Sequence, residues 1–170
     1  MQNAADNQMV HIRPYEDADF DAIWLIFESI VSKGETYAYD PDTDRAGAFD
    51  LWIKKPQQTF VANVGGEILG TYYIKPNQPG LGAHVCNCGY MVAEPARGQG
   101  IATTMCLHSQ EIARSLGYQA MQFNLVVSTN EGAVRLWLKL GYEIVGTIPD
   151  GFNHVRHGLV DAFVMYKRLT

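Results

Sequence analysis

The feature that most restricts this chain is a change of hydrophobic period, repeated through its C-terminal half. "AHVCNCGYMVA" (83–93) reads as a strand, and "GIATTMCLHSQEIARSLG" (100–117) as a helix that Gly117 ends. "YQAMQFNLVV" (118–127) is strand-like again, and "NEGAVRLWLKLG" (130–141) is helical again. In that second helix Ala133, Leu136, Trp137 and Leu140 follow the i, i+3, i+4, i+7 rule that builds one apolar face. "YEIVGTIP" and "VDAFVMYKRL" close the chain as strands. Upstream, "VHIRP" predicts a strand, "DADFDAIWLIFESIVSK" a helix stopped by Gly34, and "TDRAGAFDLWIKK" a shorter helix. "QTFVANVGGEILGTYYIKP" predicts a hairpin turning at Gly65 and Gly66. Strands interleaved with one-faced helices can hide their apolar sides only by layering, so the pattern predicts an α/β fold with helices packed over a central sheet. No internal repeat or Pro/Ser linker divides the 170 residues, which fit one domain over 9–170. Residues 1–8, "MQNAADNQ", are polar and expected to be a flexible tail.

Composition narrows the function. A formal net charge of −5 argues against nucleic-acid binding, which calls for a basic surface. It does not forbid an anionic ligand, which local donors can hold. No apolar run approaches the ~18 residues of a membrane helix, and the N-terminus lacks a basic-then-apolar leader pattern. Cys86, Cys88 and Cys106 are an odd number without a disulfide framework, and no ligand spacing for a metal is present. A reducing, cytoplasmic setting and no metal are therefore expected.

The stretch "MVAEPARGQGIATTM" puts Arg97, Gly98 and Gly100 where a strand hands over to a helix. The first amides of a helix have no intrahelical acceptor, and the positive end of its dipole adds to them, so the place suits an anion. Gly98 and Gly100 remove Cβ atoms that would hold phosphate oxygens away, Arg97 offers a charged fork, and Thr103 adds a hydroxyl. A glycine-softened turn with a solvated arginine fits the same residues. A Walker loop would need Gly-Lys-Ser/Thr, which is absent. A dinucleotide fingerprint would need glycine at Thr103 and an acidic residue closing the next strand, and both are missing.

"VAEPARGQGIA" resembles the acetyl-CoA-binding motif R/Q-x-x-G-x-G/A of the GNAT N-acetyltransferase superfamily, filled by Arg97, Gly100 and Ala102. "NEGAVRLWLKLGY" resembles its second motif: asparagine, alanine, leucine-aromatic, then Gly-Tyr. The resemblance implies a mixed sheet of six to seven strands, helices on both faces, and a V-shaped splay between strands 4 and 5 that admits the pantetheine arm as a pseudo-strand. It implies that main-chain groups of Met91 and Val92 meet that arm, with the Met91 amide as oxyanion donor. Arg97, Gly98, Gln99, Gly100, Ile101, Ala102 and Thr103 would hold the diphosphate. Asn130 matches a cofactor-contacting position, though an N-cap would explain it equally. Trp137 and Lys139 would lie along the cofactor's path, and Trp137 fits the core as well. Relatives often dimerise, so a homodimer is a further implication.

Acetyl transfer to an amine needs a neutral amine, a held oxyanion and a tolerable thiolate. Many members of the superfamily place an acid tyrosine where this chain has Trp137. Tyr90 and Tyr142 are replacements by position alone, and the thiolate can also leave unassisted. Asn87 and Asn124 sit inside two strands, where asparagine is disfavoured, and would face one cleft to hold an acceptor's carboxylate or carbonyl or to orient the water that carries away the amine proton, with Asn124 as the catalytic candidate. A pair of hydrogen-bonded amides in a bulge is the structural alternative. The "QFN…N…LW…LG" arrangement resembles the fungal proline-analogue (azetidine-2-carboxylate) N-acetyltransferases. Glu35 and Tyr37, in "GETYAYDPDT", belong to the loop that would roof the acceptor, with Glu35 as a possible base. Of Tyr72 and Tyr73 only one can line the cleft, and Tyr72 is taken as the substrate residue. His154 and His157, in "NHVRHG", read as loop histidines, and Cys88 is the one thiol beside the oxyanion strand. The expectation is direct transfer from acetyl-CoA to a small-molecule amine, an amino acid or toxic analogue among them. An acyl-CoA sensor without transferase activity and a protein or peptide N-acetyltransferase are the alternatives.

Overall fold

In the computed structural model, which describes residues 9–170, the period changes become seven strands and four α-helices. The tail expected over residues 1–8 lies outside the described residues. The order is β1 (His11–Pro14), α1 (Phe20–Val31), α2 (Arg45–Phe49), β2 (Gln58–Val64), β3 (Glu67–Pro76), β4 (Val85–Val92), α3 (Ile101–Ser115), β5 (Ala120–Val127), α4 (Glu131–Lys139), β6 (Glu143–His154) and β7 (Gly158–Arg168). They form one mixed sheet in the spatial order β1-β2-β3-β4-β5-β7-β6. Only β4 and β5 run parallel, because α3 carries the chain back between them.

Helices cover both faces and divide the core in two. On one face α1 buries Ile23, Ile26, Phe27 and Ile30, spaced three and four apart, against Trp52, Val61, Tyr73 and Met91. On the other, α3 and α4 bring Ile101, Met105, Cys106 and Trp137 onto Tyr72, Cys86, Cys88, Met121 and Phe123. Each sheet face thus takes alternate residues of a strand, as the pleat requires. Cys86 and Cys88 share a face and are both buried free thiols.

Two details depart from the sequence pattern. "TDRAGAFDLWIKK" is a short α-helix that widens into a π-helical turn at Asp50–Lys54. This places the fully buried Trp52 so that its indole donates to Thr71 Oγ1 at 3.1 Å. The last hairpin also runs on past Pro149. A register shift between Ile148 and Phe152 absorbs Pro149, Asp150 and Gly151, and pairing then continues to His154↔Gly158. His154 therefore ends a strand and is only 4% exposed, not a loop histidine; its Nδ1 accepts the amides of Arg156 and His157.

The tip of that hairpin clasps the end of α1. Val155 N–H donates to Gly34 O at 3.2 Å, and Arg156 pairs with Glu35 at 2.7 Å. Gly34 has φ +62°, and a Cβ there would sit 2.2 Å from Val155 Cγ2, so only glycine permits the contact. The loop that follows, Thr36 and Tyr37, is fixed over the middle of the sheet.

Candidate active site

β4 and β5 pair at Val85↔Ala120 and Cys86↔Met121, with Gln119 N–H donating to His84 O just before, and then they part. The gap is the splay. At its vertex Asn87 Nδ2 donates to Gln122 O at 2.9 Å, replacing a ladder bond that β4 can no longer supply. A cleft passes through the gap and widens on either side of it. Thr36, Tyr90, Asn130, Ala133 and Trp137 line both widenings.

The wider chamber, about 620 Å³, opens beside the N-terminus of α3. The first intrahelical bond there is Thr104 N–H to Gly100 O, so the amides of Ile101, Ala102 and Thr103 have no partner in the helix. Gly98 and Gly100 take φ of +77° and +81°, which non-glycine residues rarely adopt, and nothing lies within 4 Å of where their Cβ atoms would be. Arg97, exposed, stands at the same rim. Helix dipole, free amides and a guanidinium make this end suited to a phosphate-bearing group. Gln99 is exposed and is not part of the wall; its side chain turns back to Pro95 O at 3.3 Å. Lys139 is exposed on α4 and lines neither chamber. Asn130 stands at the N-cap position of α4, yet its side chain makes no capping bond, so the capping alternative does not describe it.

The register of β3 and β4 decides which amides face the gap. Ala93 N–H donates to Leu69 O and Asn77 N–H to Val85 O, at the two ends of one unshifted antiparallel ladder. Alternation then makes Thr71↔Met91 a hydrogen-bonded pair. The Met91 amide is turned into β3 and is not available as an oxyanion donor, contrary to the expectation from sequence. The main-chain groups of Tyr90 and Val92 point the other way, into the gap. Tyr90 O there accepts the Tyr37 hydroxyl at 2.7 Å.

The smaller chamber, about 300 Å³, lies on the α1 side and takes polar groups from Tyr73, Lys75, Asn87 and Asn124 of the strands, beside Thr36, Tyr37 and Asn130. Tyr73 and Lys75 face Gly89 and Asn87 across the ladder. A Cβ on Gly89 would meet Tyr73 Cε1 at 2.6 Å, so this glycine is what lets the ring lie over β4. The Tyr73 hydroxyl then donates to Asn87 Oδ1 at 3.3 Å. Asn124 sits at a bulge between Phe123 and Val126, accepts from Gln122 Nε2 at 2.9 Å and donates to Asn77 Oδ1 at 2.7 Å. The two strand asparagines are thus bonded to neighbours, not to each other. Burial pushes the phenols of Tyr37 and Tyr73 well above their ordinary range, so both are neutral hydrogen-bond groups.

Three further expectations are corrected. Tyr72, fully buried, points to the α3 face, where its hydroxyl bonds His108 Nδ1 at 2.7 Å; the chamber is lined by Tyr73 instead. Glu35 is held by Arg156 and lies outside both walls, which removes it as a base. The Tyr90 hydroxyl is bonded to Ser109 Oγ at 2.7 Å inside the α3 core, and that of Tyr142 lies 2.9 Å from Met121 Sδ. Both hydroxyls are engaged inside that core, so neither is placed as an acid at the gap, and burial raises both phenols. Burial likewise pushes the Cys88 thiol well up, which leaves it protonated and a poor nucleophile. Trp137 serves twice: it packs 5.0 Å from Phe123 and 5.1 Å from Tyr90, centroid to centroid, and walls both chambers. Thr36, Tyr73, Lys75 and Gly132 are wall residues that sequence reasoning missed. No local pattern marks them, because strand register and the covering helices choose which face lines the gap.

A sequence model of the acetyltransferase (GNAT) family matches residues 20–142. N-acetyltransferase aca1 of Schizosaccharomyces pombe is 38% identical over 98 residues, which cover 57% of this chain and 47% of that protein. The chain thus spans about half the length of that relative. A GCN5-related N-acetyltransferase from Kribbella flavida superposes with a TM-score of 0.89 at 44% identity, covering 94% of this chain and 97% of its own. A phosphinothricin acetyltransferase from Sinorhizobium meliloti, solved in complex with AcCoA, gives a TM-score of 0.81 at 19% identity, with 94% and 88% covered, and so shares the fold. The parted β4–β5 pair, the free amides of α3 and the match over residues 20–142 agree, and the chain belongs to the acetyltransferase (GNAT) family.

Proposed function

We propose that this protein transfers the acetyl group of acetyl-CoA to the nitrogen of a small-molecule amine by direct attack. The observation that carries the reading is the single cleft through the β4–β5 gap. It joins an anion-suited chamber to a small polar one past the Tyr90 and Val92 main chain, which faces the gap instead of β3. In the reaction a nitrogen–carbon bond forms as the carbon–sulfur bond breaks; sulfur keeps the electron pair, the amine proton passes to it or to solvent, and N-acetyl amine and CoA result.

The residues divide that work. The amides of Ile101, Ala102 and Thr103, with Arg97, would hold the diphosphate. The main chain of Tyr90 and Val92 would pair with the pantetheine arm in place of the missing strand, and one of these N–H groups would take the developing oxyanion. Asn130 and Trp137 would border the arm where the chambers join. Asn87, Asn124 and Tyr73 would orient the acceptor. No carboxylate or imidazole lines the smaller chamber among the described residues, so the amine itself must arrive neutral. A chamber of about 300 Å³ favours a free small amine over a peptide. An amino acid or a proline-like toxic analogue is the finer form of the proposal, supported by the two strand asparagines.

The test is release of CoA thiol from acetyl-CoA across a panel of small amines. Amine-dependent release is expected, rising with pH toward the ionisation of each amine itself. Tight CoA binding with no amine-dependent thiol would overturn transfer in favour of a sensor.

A further inference from the structure

We propose that Lys75 is the counter-ion of a carboxylate carried by the acceptor, so that the smaller chamber selects amines bearing an acidic group over neutral amines. The inference deepens the acetyl-transfer reading and rests on it for the word acceptor. In a chain of net charge −5, the acceptor chamber has, among the described residues, one ionisable cation and no carboxylate. Lys75 is half-buried, and among the described residues it takes part in no ion pair. Its ammonium lies 5.3 Å from the centroid of the Tyr73 ring, and that ring reaches Asn87 with its hydroxyl. A half-buried cation held over a ring and without an ion-pair partner is placed to take a carboxylate bound in the chamber.

The neighbouring amides are poised for the same ligand. Asn87 Oδ1 already accepts from Tyr73, and Asn124 Oδ1 already accepts from Gln122. Each Nδ2 spends one hydrogen, Asn87 on Gln122 O and Asn124 on Asn77, and keeps a second one. The chamber therefore presents one ammonium and two spare N–H groups, a set that suits an acceptor-only anion. Register places Lys75 directly across from Asn87, so the three groups converge from β3, β4 and β5.

A product-side experiment separates this inference from catalysis. CoA-saturated protein is titrated calorimetrically with the N-acetyl derivatives of proline, alanine and methionine, each as the free acid and as the carboxamide. None of these ligands has a titrating amine, so affinity reports the acid group alone. The acid form of at least one pair should bind about 10–100-fold more tightly, the worth of a charge-assisted hydrogen bond. Lys75→Met should erase that preference by weakening the acid form far more than the carboxamide, and an unchanged circular dichroism spectrum shows that the variant is folded. Lys75→Arg should keep most of it. A preference that survives in Lys75→Met, no preference in the native protein, or no binding of any pair would each overturn the proposal. If the preference depends on Lys75 but no amine of the panel releases thiol from acetyl-CoA, the transfer reading falls and the carboxylate site stands.

Discussion

At the phosphate-suited end of the cleft the wall is main chain: three helix amides and two glycines in left-handed conformations, with one arginine at the rim. At the other end it is side chain: Lys75 and Tyr73 from β3, Asn87 from β4 and Asn124 from β5. The first end is local, written within residues 97–104 of one loop and one helix turn. The second exists only because three strands lie in a particular register. A main-chain site tolerates many neighbours but no added Cβ in the wrong place, whereas a side-chain site can be retuned one residue at a time. The two ends should therefore fail differently when they are altered.

The largest effect is expected from Gly100→Glu. It forces an L-residue to φ +81°, at a cost of about 1 kcal/mol, and sets a carboxylate against the free amides of α3. CoA affinity should fall by about 100-fold or more, as like charges at a contact cost several kcal/mol, while acetyl-pantetheine, which lacks the phosphates, should bind almost as before. Equal losses for both ligands would break the distinction between the two ends. Circular dichroism checks that the fold survives.

A smaller effect is expected from Gly89→Ala, which drives a methyl to 2.6 Å from a Tyr73 ring already packed 4.8 Å from Trp52, centroid to centroid. Overpacking of this kind costs about 1–3 kcal/mol in denaturant unfolding. It should also damage acceptor use, with the dissociation constant for CoA unchanged; a weakened CoA complex would mean that the chambers are not independent. The mildest is Asn124→Ala, at an exposed bulge with neutral partners. The KM for the acceptor should rise about 3–10-fold, the worth of a neutral hydrogen bond, with little change in stability. A loss of CoA binding here would put Asn124 on the cofactor side.

Much of the fold was legible because it depends on local period. The seven strands and four α-helices of the described residues fall in the segments that apolar pattern and turn residues mark out, and Gly34, Gly65, Gly66 and Gly117 turn or stop the chain at positive φ. The π-helical turn at Asp50–Lys54 and the extension of β6 to His154 were not legible, since each answers to partners far along the chain. Beside the gap, the loop glycines ahead of α3 could be read from the sequence and take positive φ, while Tyr72 was expected on the face that Tyr73 occupies. Both tyrosines are apolar-compatible and adjacent, and only the helices packed above and below decide which ring faces which side. Glu35 looked free in the sequence and is taken by Arg156, 121 residues away.

The sequence by itself determined that strands and helices interleave and that residues 97–104 would end a loop on bare helix amides, because backbone preference and hydrophobic period are properties of neighbouring residues. Only the tertiary structure decided that the Tyr90 and Val92 main chain, not the Met91 amide, faces the gap, and that Lys75 meets two asparagines there. Those facts depend on strand register, which long-range hydrogen bonds and the covering helices select. A shift of one residue would exchange every inward group for an outward one.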